Sequence, residues 1–303
     1  MPRKPLQSRV EYAAFRASYA VLRLLPFRFS AWLLSELTLF AGMVLGLRRK
    51  LVAQNMRLTF PQWTPAQLRR EMRMHYRHVG RTIAETYLDR ENRLLGKIRV
   101  EGMEHLEQAM RMERGVVMLS AHMGNWEIGG RYLVKQGLPI YAVIKKQRNP
   151  WFDRFTSHLR QSAGIHEINP GRSLKEILRT LRAKGIVVIL ADQYAAMHGV
   201  QMDFLGRPAA VHTGPARIAA MSGAPLVCIF GMRKRDGTHI LSIEEPILPP
   251  AREDGDAGID RMVRRYTDRM EERIRACPSQ WLWMHNRWKH PSRARPLATR
   301  EDV

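Results

Sequence analysis

The sequence predicts an α/β fold: a mainly parallel central sheet flanked by helices, with membrane-associated helices at the N-terminus. Two observations predict it. From Lys97 onward, short apolar runs rich in β-branched residues alternate with amphipathic stretches of helical length, the signature of β-α-β units. Before that point the apolar residues collect instead into long helical segments. With 45% hydrophobic residues over 303 positions, the chain can bury a substantial core.

The N-terminal region, 1–50, reads as membrane-anchoring helices. "YAAFRASYAVLRLL" sets Arg16 and Arg23 on one face of an otherwise apolar helix. "FSAWLLSELTLFAGMVLGL", Phe29 to Leu47, follows, with Arg28 before it and "RRK" after it. As one helix it would reach roughly 28 Å, about one hydrocarbon core. Glu36 inside it costs about 2.5–3.5 kcal/mol at mid-membrane. The segment therefore spans the bilayer, lies along its interface, or is a buried helix of a soluble protein. Arginines interrupt the first 30 residues and no small-residue cleavage site follows, so no cleavable signal peptide is expected.

A domain over 51–290 comes next. It opens with polar helical sequence to about residue 95, broken by "FPQWTPAQL", where Thr64 fits an N-cap and Pro65 the first helical position. "GVVMLSAH", "PIYAVIKK", "IVVILADQ" and "APLVCIFGM" read as strands. Between them, "WEIGGRYLVKQG", "FDRFTSHLRQSAG", "LKEILRTLRAKG" and "GPARIAAMSG" read as helices. "HILSIEEPI" adds a late edge strand, "PPAREDGDAG" a loop, and Ile259 to Ala276 a long polar helix. Residues 291–303 form a basic tail expected to be disordered.

Charge restricts the partners. Fifty Lys and Arg stand against 28 Asp and Glu, a formal +22. Such a surface attracts anionic lipid head groups, an acidic protein or nucleic acid. No RRM, zinc-finger or helix-turn-helix pattern is present, so no nucleic acid is expected as partner. Cys228 and Cys277 stand in unrelated contexts, which fits reduced thiols, and no Cys/His spacing suits a metal.

The chemistry concentrates in "MLSAHMGNWEIGG", where an apolar strand ends in His122 and a helix restarts. On one continuous helix His122 and Glu127 would point about 140° apart. With His122 on the loop and Glu127 in the first helical turn, their side chains can meet. Gly124 supplies the bend and Asn125 a cap. A carboxylate on one imidazole nitrogen fixes the tautomer and leaves the other as a base. No G-x-S-x-G elbow or Cys–His pairing supplies a nucleophile. The base must then activate a substrate hydroxyl, in acyl transfer or hydrolysis. The same spacing also suits a purely structural turn.

H-x-x-x-x-E at His122 and Glu127 resembles the signature of the glycerolipid acyltransferase superfamily. The chain as a whole is similar to its lipid A biosynthesis (lauroyl/myristoyl) acyltransferases. "VAQNMRLTFP" resembles that family's block after the membrane segment, and "RNPWFDR" with "RQSAG" its second block. "DQYAAMHGVQMDFLGRPAAVHTG" and "PSQWLWMHNRWK" resemble two more. The resemblance implies transfer of a fatty acyl chain from an acyl carrier protein thioester, or from CoA, to a hydroxyl of a phosphorylated glycolipid. It implies His122 as general base, Glu127 as its orienting carboxylate, oxyanion donors at Gly124, Asn125 and Trp126, and no cofactor or metal. It places the enzyme on the cytoplasmic face of a bacterial inner membrane, with acyl carrier protein, anionic lipids and a glycolipid acceptor as partners. The acceptor can equally be a phosphatidylinositol mannoside, an aminolipid or a lysophospholipid.

Further candidates carry alternatives. Arg148, Lys145, Lys146, Arg160 and Arg172 are phosphate contacts or solvated basic residues, and Arg148 has the fork that suits phosphate best. Asp192 ends the "IVVIL" run at the same sheet edge as His122, as a structural cap or a substrate contact. Phe204, Gly206 and Thr213 shape the loop around an acyl groove. Trp281, Trp283 and Trp288 suit a membrane interface or a packed corner.

Overall fold

A computed structural model describes residues 5–89, 92–169, 173–195, 199–289 and 295–296. Four helices come first: α1 (Pro5–Leu24), α2 (Phe27–Met43), α3 (Arg49–Thr59) and α4 (Pro65–Leu88). Thr64 caps α4 with a reciprocal capping box to Gln67, and Pro65 sits inside its first turn. Alternating strands and helices follow: β1 (Ile98–Glu101), α5 (Met103–Arg111), β2 (Val116–Ser120), α6 (Trp126–Lys135), β3 (Ile140–Val143), α7 (Pro150–Ser162), β4 (His166–Ile168), α8 (Ser173–Arg182) and β5 (Ile186–Leu190). The chain continues through β6 (Gly199–Phe204), β7 (Arg207–His212), α9 (Gly214–Ser222), β8 (Leu226–Arg233), β9 (His239–Ile243) and α10 (Gly255–Ala276) to the short β10 (Arg295–Pro296).

Seven strands form one sheet in the order β1-β9-β8-β2-β5-β3-β4. Every neighbour pair is parallel except β8 with β9. The central strand β2 is buried along its whole length, which is why it reads as a continuous apolar run rather than an alternating one. The strand expected at the edge, β9, lies inside the sheet, because β1 pairs parallel to its outer side. A second, three-stranded sheet, β10-β6-β7, was not legible in the sequence.

The N-terminal helices pack onto the domain instead of standing apart from it. Phe15 of α1 meets Phe152 and Phe155 of α7 edge-on. On α4, Gly80 lets α2 approach so closely that a Cβ there would stand 2.2 Å from the Leu34 carbonyl oxygen. Glu36 pairs with Arg77 of α4 at 2.7 Å. The apolar segment 29–47 does not form one long helix: α2 ends at Met43. No helix among the described residues is long and apolar enough to cross a membrane. Phe29, Trp32 and Phe40 of α2 nevertheless stay about half exposed. Of the tail, only Arg295–Pro296 is described, as a strand parallel to β6.

Candidate active site

Strand register builds the site. Ser120 of β2 pairs with Leu190 of β5 in a parallel ladder that ends at this residue pair. Two residues further along each strand, His122 and Asp192 therefore leave the sheet side by side at its C-terminal edge, where open α/β sheets bind ligands. His122 Nδ1 stands 2.8 Å from Asp192 Oδ1, and the His122 backbone N–H donates to Oδ2 at 3.0 Å. Trp281 Nε1 donates to the same Oδ2 at 2.8 Å. A carboxylate only accepts, so Nδ1 carries the proton and Nε2 is left as the basic nitrogen.

Burial works to lower the pKa of His122, but the charge and hydrogen bond of Asp192 outweigh it and leave the pKa raised above 6.5. Burial likewise works to raise Asp192, but the His122 and Trp281 contacts hold it down at about 2. Trp126 stands edge-on to the imidazole, ring centres 4.9 Å apart.

The expected hydrogen bond between His122 and Glu127 does not form. Glu127 sits in the first turn of α6 and is clasped by Arg160 of α7, whose Nε and Nη2 donate to it at 3.1 and 2.7 Å. Arg160 Nη1 donates to Glu167 at 3.0 Å. Burial disfavours the guanidinium charge, yet Glu127 and then Glu167 raise its pKa further. Arg160 thus bridges two carboxylates, and it lines both cavities that meet at His122.

The turn between β2 and α6 is held from behind. Gly124 has φ 58°, and a Cβ there would meet the Gly231 carbonyl oxygen at 2.0 Å, so only glycine fits. Its N–H donates to the Gln280 carbonyl at 3.0 Å and is therefore spent, which removes Gly124 from the expected oxyanion donors. Asn125 caps α6, its Oδ1 accepting from the Ile128 N–H. Asn125 Nδ2 donates to Glu85 of α4 at 3.2 Å. Glu85 is fully buried against Arg233 at 2.6 Å and Arg81 at 3.0 Å. Arg233 in turn exchanges hydrogen bonds with the Gln280 side chain. It also presents a guanidinium N–H to His78 Nδ1, so His78 Nε2–H points at the Gly124 carbonyl. This network of Glu85, Arg233, Gln280 and His78 left no motif in the sequence.

Two cavities meet at His122. One, of about 450 Å³, runs under α6 along the sheet and is walled by Met118, Leu133, Ile140, Ile165, Val188 and Leu241. Gly129 and Gly130 present no side chain to it. The other, of about 290 Å³, opens beside α4 and is lined by Val79, Ile83, Tyr87 and Trp281. His122, Trp126 and Glu127 border both.

The remaining predicted residues separate. Lys145 and Lys146 reach the first cavity, whereas Arg148 is exposed and lines neither. The neighbouring Asn149 caps α7 through the Trp151 and Phe152 N–H groups. Arg172 lies outside the described residues. Thr213, buried at the start of α9, borders neither cavity. Trp281 and Trp283 are buried, 2% and 0% exposed, and belong to a packed corner with Phe204 rather than to a membrane interface. No cluster of His, Cys, Asp and Glu among the described residues could hold a metal ion.

A histidine–aspartate pair at the C-terminal edge of a mainly parallel α/β sheet, with two cavities meeting at the imidazole, is an arrangement suited to hydrolysis or group transfer. The chain belongs to the bacterial lipid A biosynthesis acyltransferase family, whose model matches residues 3–290. It is 27% identical to the lipid A biosynthesis lauroyltransferase of Escherichia coli K12, over 80% of this chain and 79% of that one. It is 25% identical to the palmitoleoyltransferase of the same strain, over 88% and 86%. A phosphatidylinositol mannoside acyltransferase of Mycobacterium tuberculosis H37Rv is 28% identical over 62% of this chain and 59% of its own length. The protein is an acyltransferase that acts on a glycolipid.

Proposed function

We propose that the enzyme transfers a fatty acyl chain from a thioester of acyl carrier protein or CoA to a hydroxyl of a lipid A precursor. His122 is the general base, and Asp192 takes the orienting role that the motif would give to Glu127. His122 Nε2 removes the proton from the acceptor hydroxyl as its oxygen attacks the thioester carbonyl. The tetrahedral oxyanion is stabilised by the N–H groups of Trp126 and Glu127, which open α6 with no acceptor among the described residues. Collapse of this intermediate breaks the C–S bond, and the departing thiolate recovers the proton from His122.

The observation that supports this reading best is the position of His122 between a chamber with apolar side walls and a second cavity, with Asp192 on Nδ1 and Nε2 turned away from it, 3.5 Å from the Gln193 amide nitrogen. The chamber, at about 450 Å³, has the size of a ligand pocket and takes the acyl chain. The mouth beside α4 takes the acceptor hydroxyl, and Lys145 and Lys146 at the chamber rim meet the anionic donor or the acceptor phosphate. The exposed apolar residues of α2 rest on the cytoplasmic leaflet of the inner membrane without crossing it. The mannoside acyltransferase relative keeps the acceptor open between two phosphorylated glycolipids.

The test offers detergent-solubilised protein acyl-carrier and CoA thioesters with a panel of acceptors, and reads product by mass spectrometry. His122→Ala is expected to lower transfer by orders of magnitude while leaving the fold intact. Transfer that survives this substitution would remove His122 from the mechanism.

A further inference from the structure

Behind α4, on the side away from His122, lies a cavity of about 1260 Å³ beside the N-terminal helices. Nine of its lining residues are Lys or Arg and three are Asp or Glu. The three acids are already occupied. Glu36 is paired with Arg77, Asp89 accepts the Arg93 and Leu94 N–H groups, and Asp236 accepts the Thr238 N–H. Arg28, Lys97, Lys234 and Arg235 are all exposed and have no carboxylate partner among the described residues. They converge on the basin from three separate parts of the chain: the α1–α2 corner, the segment before β1 and the β8–β9 turn. Its floor is apolar, with Leu22, Phe27, Met74, Leu88 and Leu94. The rim continues into Leu24, Phe29 and Trp32, which are 84%, 47% and 55% exposed.

From this combination we infer that the basin is a binding site for the phosphodiester headgroup of an anionic bilayer phospholipid, which is not the acyl acceptor. Unpaired cations around an apolar floor match a ligand with a phosphate at one end and hydrocarbon at the other. A soluble anion would use the cations but not the exposed Leu24, Phe29 and Trp32 that continue the floor. The bilayer source is favoured over the acceptor by the wall between basin and base. His78 and Gln280 line both sides, and both are fixed by hydrogen bonds to Arg233, with His78 also bonded to the Gly124 carbonyl. A group seated behind that wall is not presented to His122. The site would anchor the enzyme at a fixed depth and orientation on the leaflet, and this rests on the membrane-facing reading of α2 given above.

The test compares two triple variants of equal charge change. Arg28→Glu/Lys97→Glu/Arg235→Glu reverses three of the four unpartnered cations of the basin. Arg111→Glu/Arg182→Glu/Arg265→Glu removes three exposed cations that line none of the three cavities. All six residues lack a carboxylate partner among the described residues, so both variants are expected to fold, as circular dichroism and thermal melting check. Binding is measured to phosphatidylcholine vesicles, to the same vesicles with phosphatidylglycerol, and to soluble dihexanoyl phosphatidylglycerol by calorimetry. The expected result is saturable, one-to-one binding of the short-chain lipid by wild type and by the control triple, lost in the basin triple. Affinity for the anionic vesicles should fall at least tenfold more in the basin triple than in the control. Equal losses in the two triples would mean diffuse surface attraction and overturn the site. So would the absence of saturable binding by wild type. A basin triple that binds lipid normally but shows a tenfold higher KM for the glycolipid acceptor would reassign the basin to the substrate. Failure of wild type to bind any vesicle, with the short-chain lipid still bound, would sink the membrane-facing reading alone, and acyl transfer in detergent reports on the enzyme reading separately.

Discussion

Asp192→Asn separates the two carboxylates that compete for the role of orienting His122. In the native site Oδ2 accepts from the His122 N–H and from Trp281 Nε1, while Oδ1 accepts from His122 Nδ1. An asparagine keeps its single oxygen where two donors converge and turns its NH2 toward Nδ1. The imidazole must then accept at Nδ1 and carry its proton on Nε2, where the base should be. An amide at this position of a His–Asp pair costs about 10⁴-fold in turnover, or about 5 kcal/mol of transition-state stabilisation. The fold loses much less, about 1–3 kcal/mol for one imperfectly matched buried group. Removal of the negative charge also takes away what holds the His122 pKa above 6.5. Nε2 serves as base only when His122 is neutral, so wild-type kcat/KM should rise with pH through an apparent pKa above 6.5. In the variant both the plateau and that pKa drop. The assay is acyl transfer across a pH series, with histidine titration by NMR on the same proteins. A variant within tenfold of wild type, with the His122 pKa unmoved, would refute the pairing and return the orienting role to Glu127.

Glu127→Gln should leave the Asp192 contact in place and release Arg160 from one carboxylate. We expect a loss of about 10- to 100-fold in turnover, as for an outer partner that positions a site residue, with a smaller downward shift of the His122 pKa than in Asp192→Asn. Gly130→Val adds methyl groups where a Cβ already lies 3.2 Å from Ile165 Cδ1 at the chamber wall. Since each surplus methylene in a filled pocket costs about 1–3 kcal/mol, preference should move to shorter acyl thioesters, read by a chain-length series; an unchanged series would place the acyl chain elsewhere. Glu85→Ala strands Arg233 in the interior and should cost about 3–5 kcal/mol in urea unfolding. Stability also has a pH sign. The Asp192 carboxylate, held at about 2 against 3.8, contributes stability above pH 3.8 that is lost as pH falls toward 2, measurable as an acid limb that moves in Asp192→Asn.

The parallel sheet was legible because β2, β5 and β8 are mainly apolar runs of strand length that start buried, and helix spacing between them leaves no other connection. His122 was legible because an imidazole directly after such a run has to stand at the sheet edge. Its partner was not fixed by the motif. H-x-x-x-x-E draws the eye along the chain, whereas the acid on Nδ1 comes from 70 residues away through the β2–β5 ladder. The signal was present: Asp192 follows the "IVVIL" run by the same two residues as His122 follows its own strand. What was missing was the adjacency of the two strands, which periodicity does not encode. Glu85, Arg233 and Gln280 were invisible for a similar reason, since they meet across α4, β8 and the turn after α10. For the N-terminal segment, composition left spanning, interfacial and buried helices open. A largely apolar segment of nineteen residues fits a bilayer in length, but Gly46 has positive φ, and the helix stops at Met43 before the chain turns into α3.

The separation of His122 from Glu127 gives the motif's spacing a physical meaning different from a dyad. Five residues beyond His122 is far enough for α6 to begin, and Glu127 then lies in its first turn, where the helix dipole favours a carboxylate. From there it cannot lie in line with Nδ1, but it can reach α7, and Arg160 completes the span by bonding Glu167 of β4 as well. That bridge ties α6, α7 and β4 together at the chamber mouth, beside Trp126 and His122. The spacing thus places His122 by the strand and the mouth of the cavity by the helix that follows. A longer or shorter interval would rotate Glu127 by about 100° per residue, away from Arg160, and leave a partly buried guanidinium with one carboxylate in place of two.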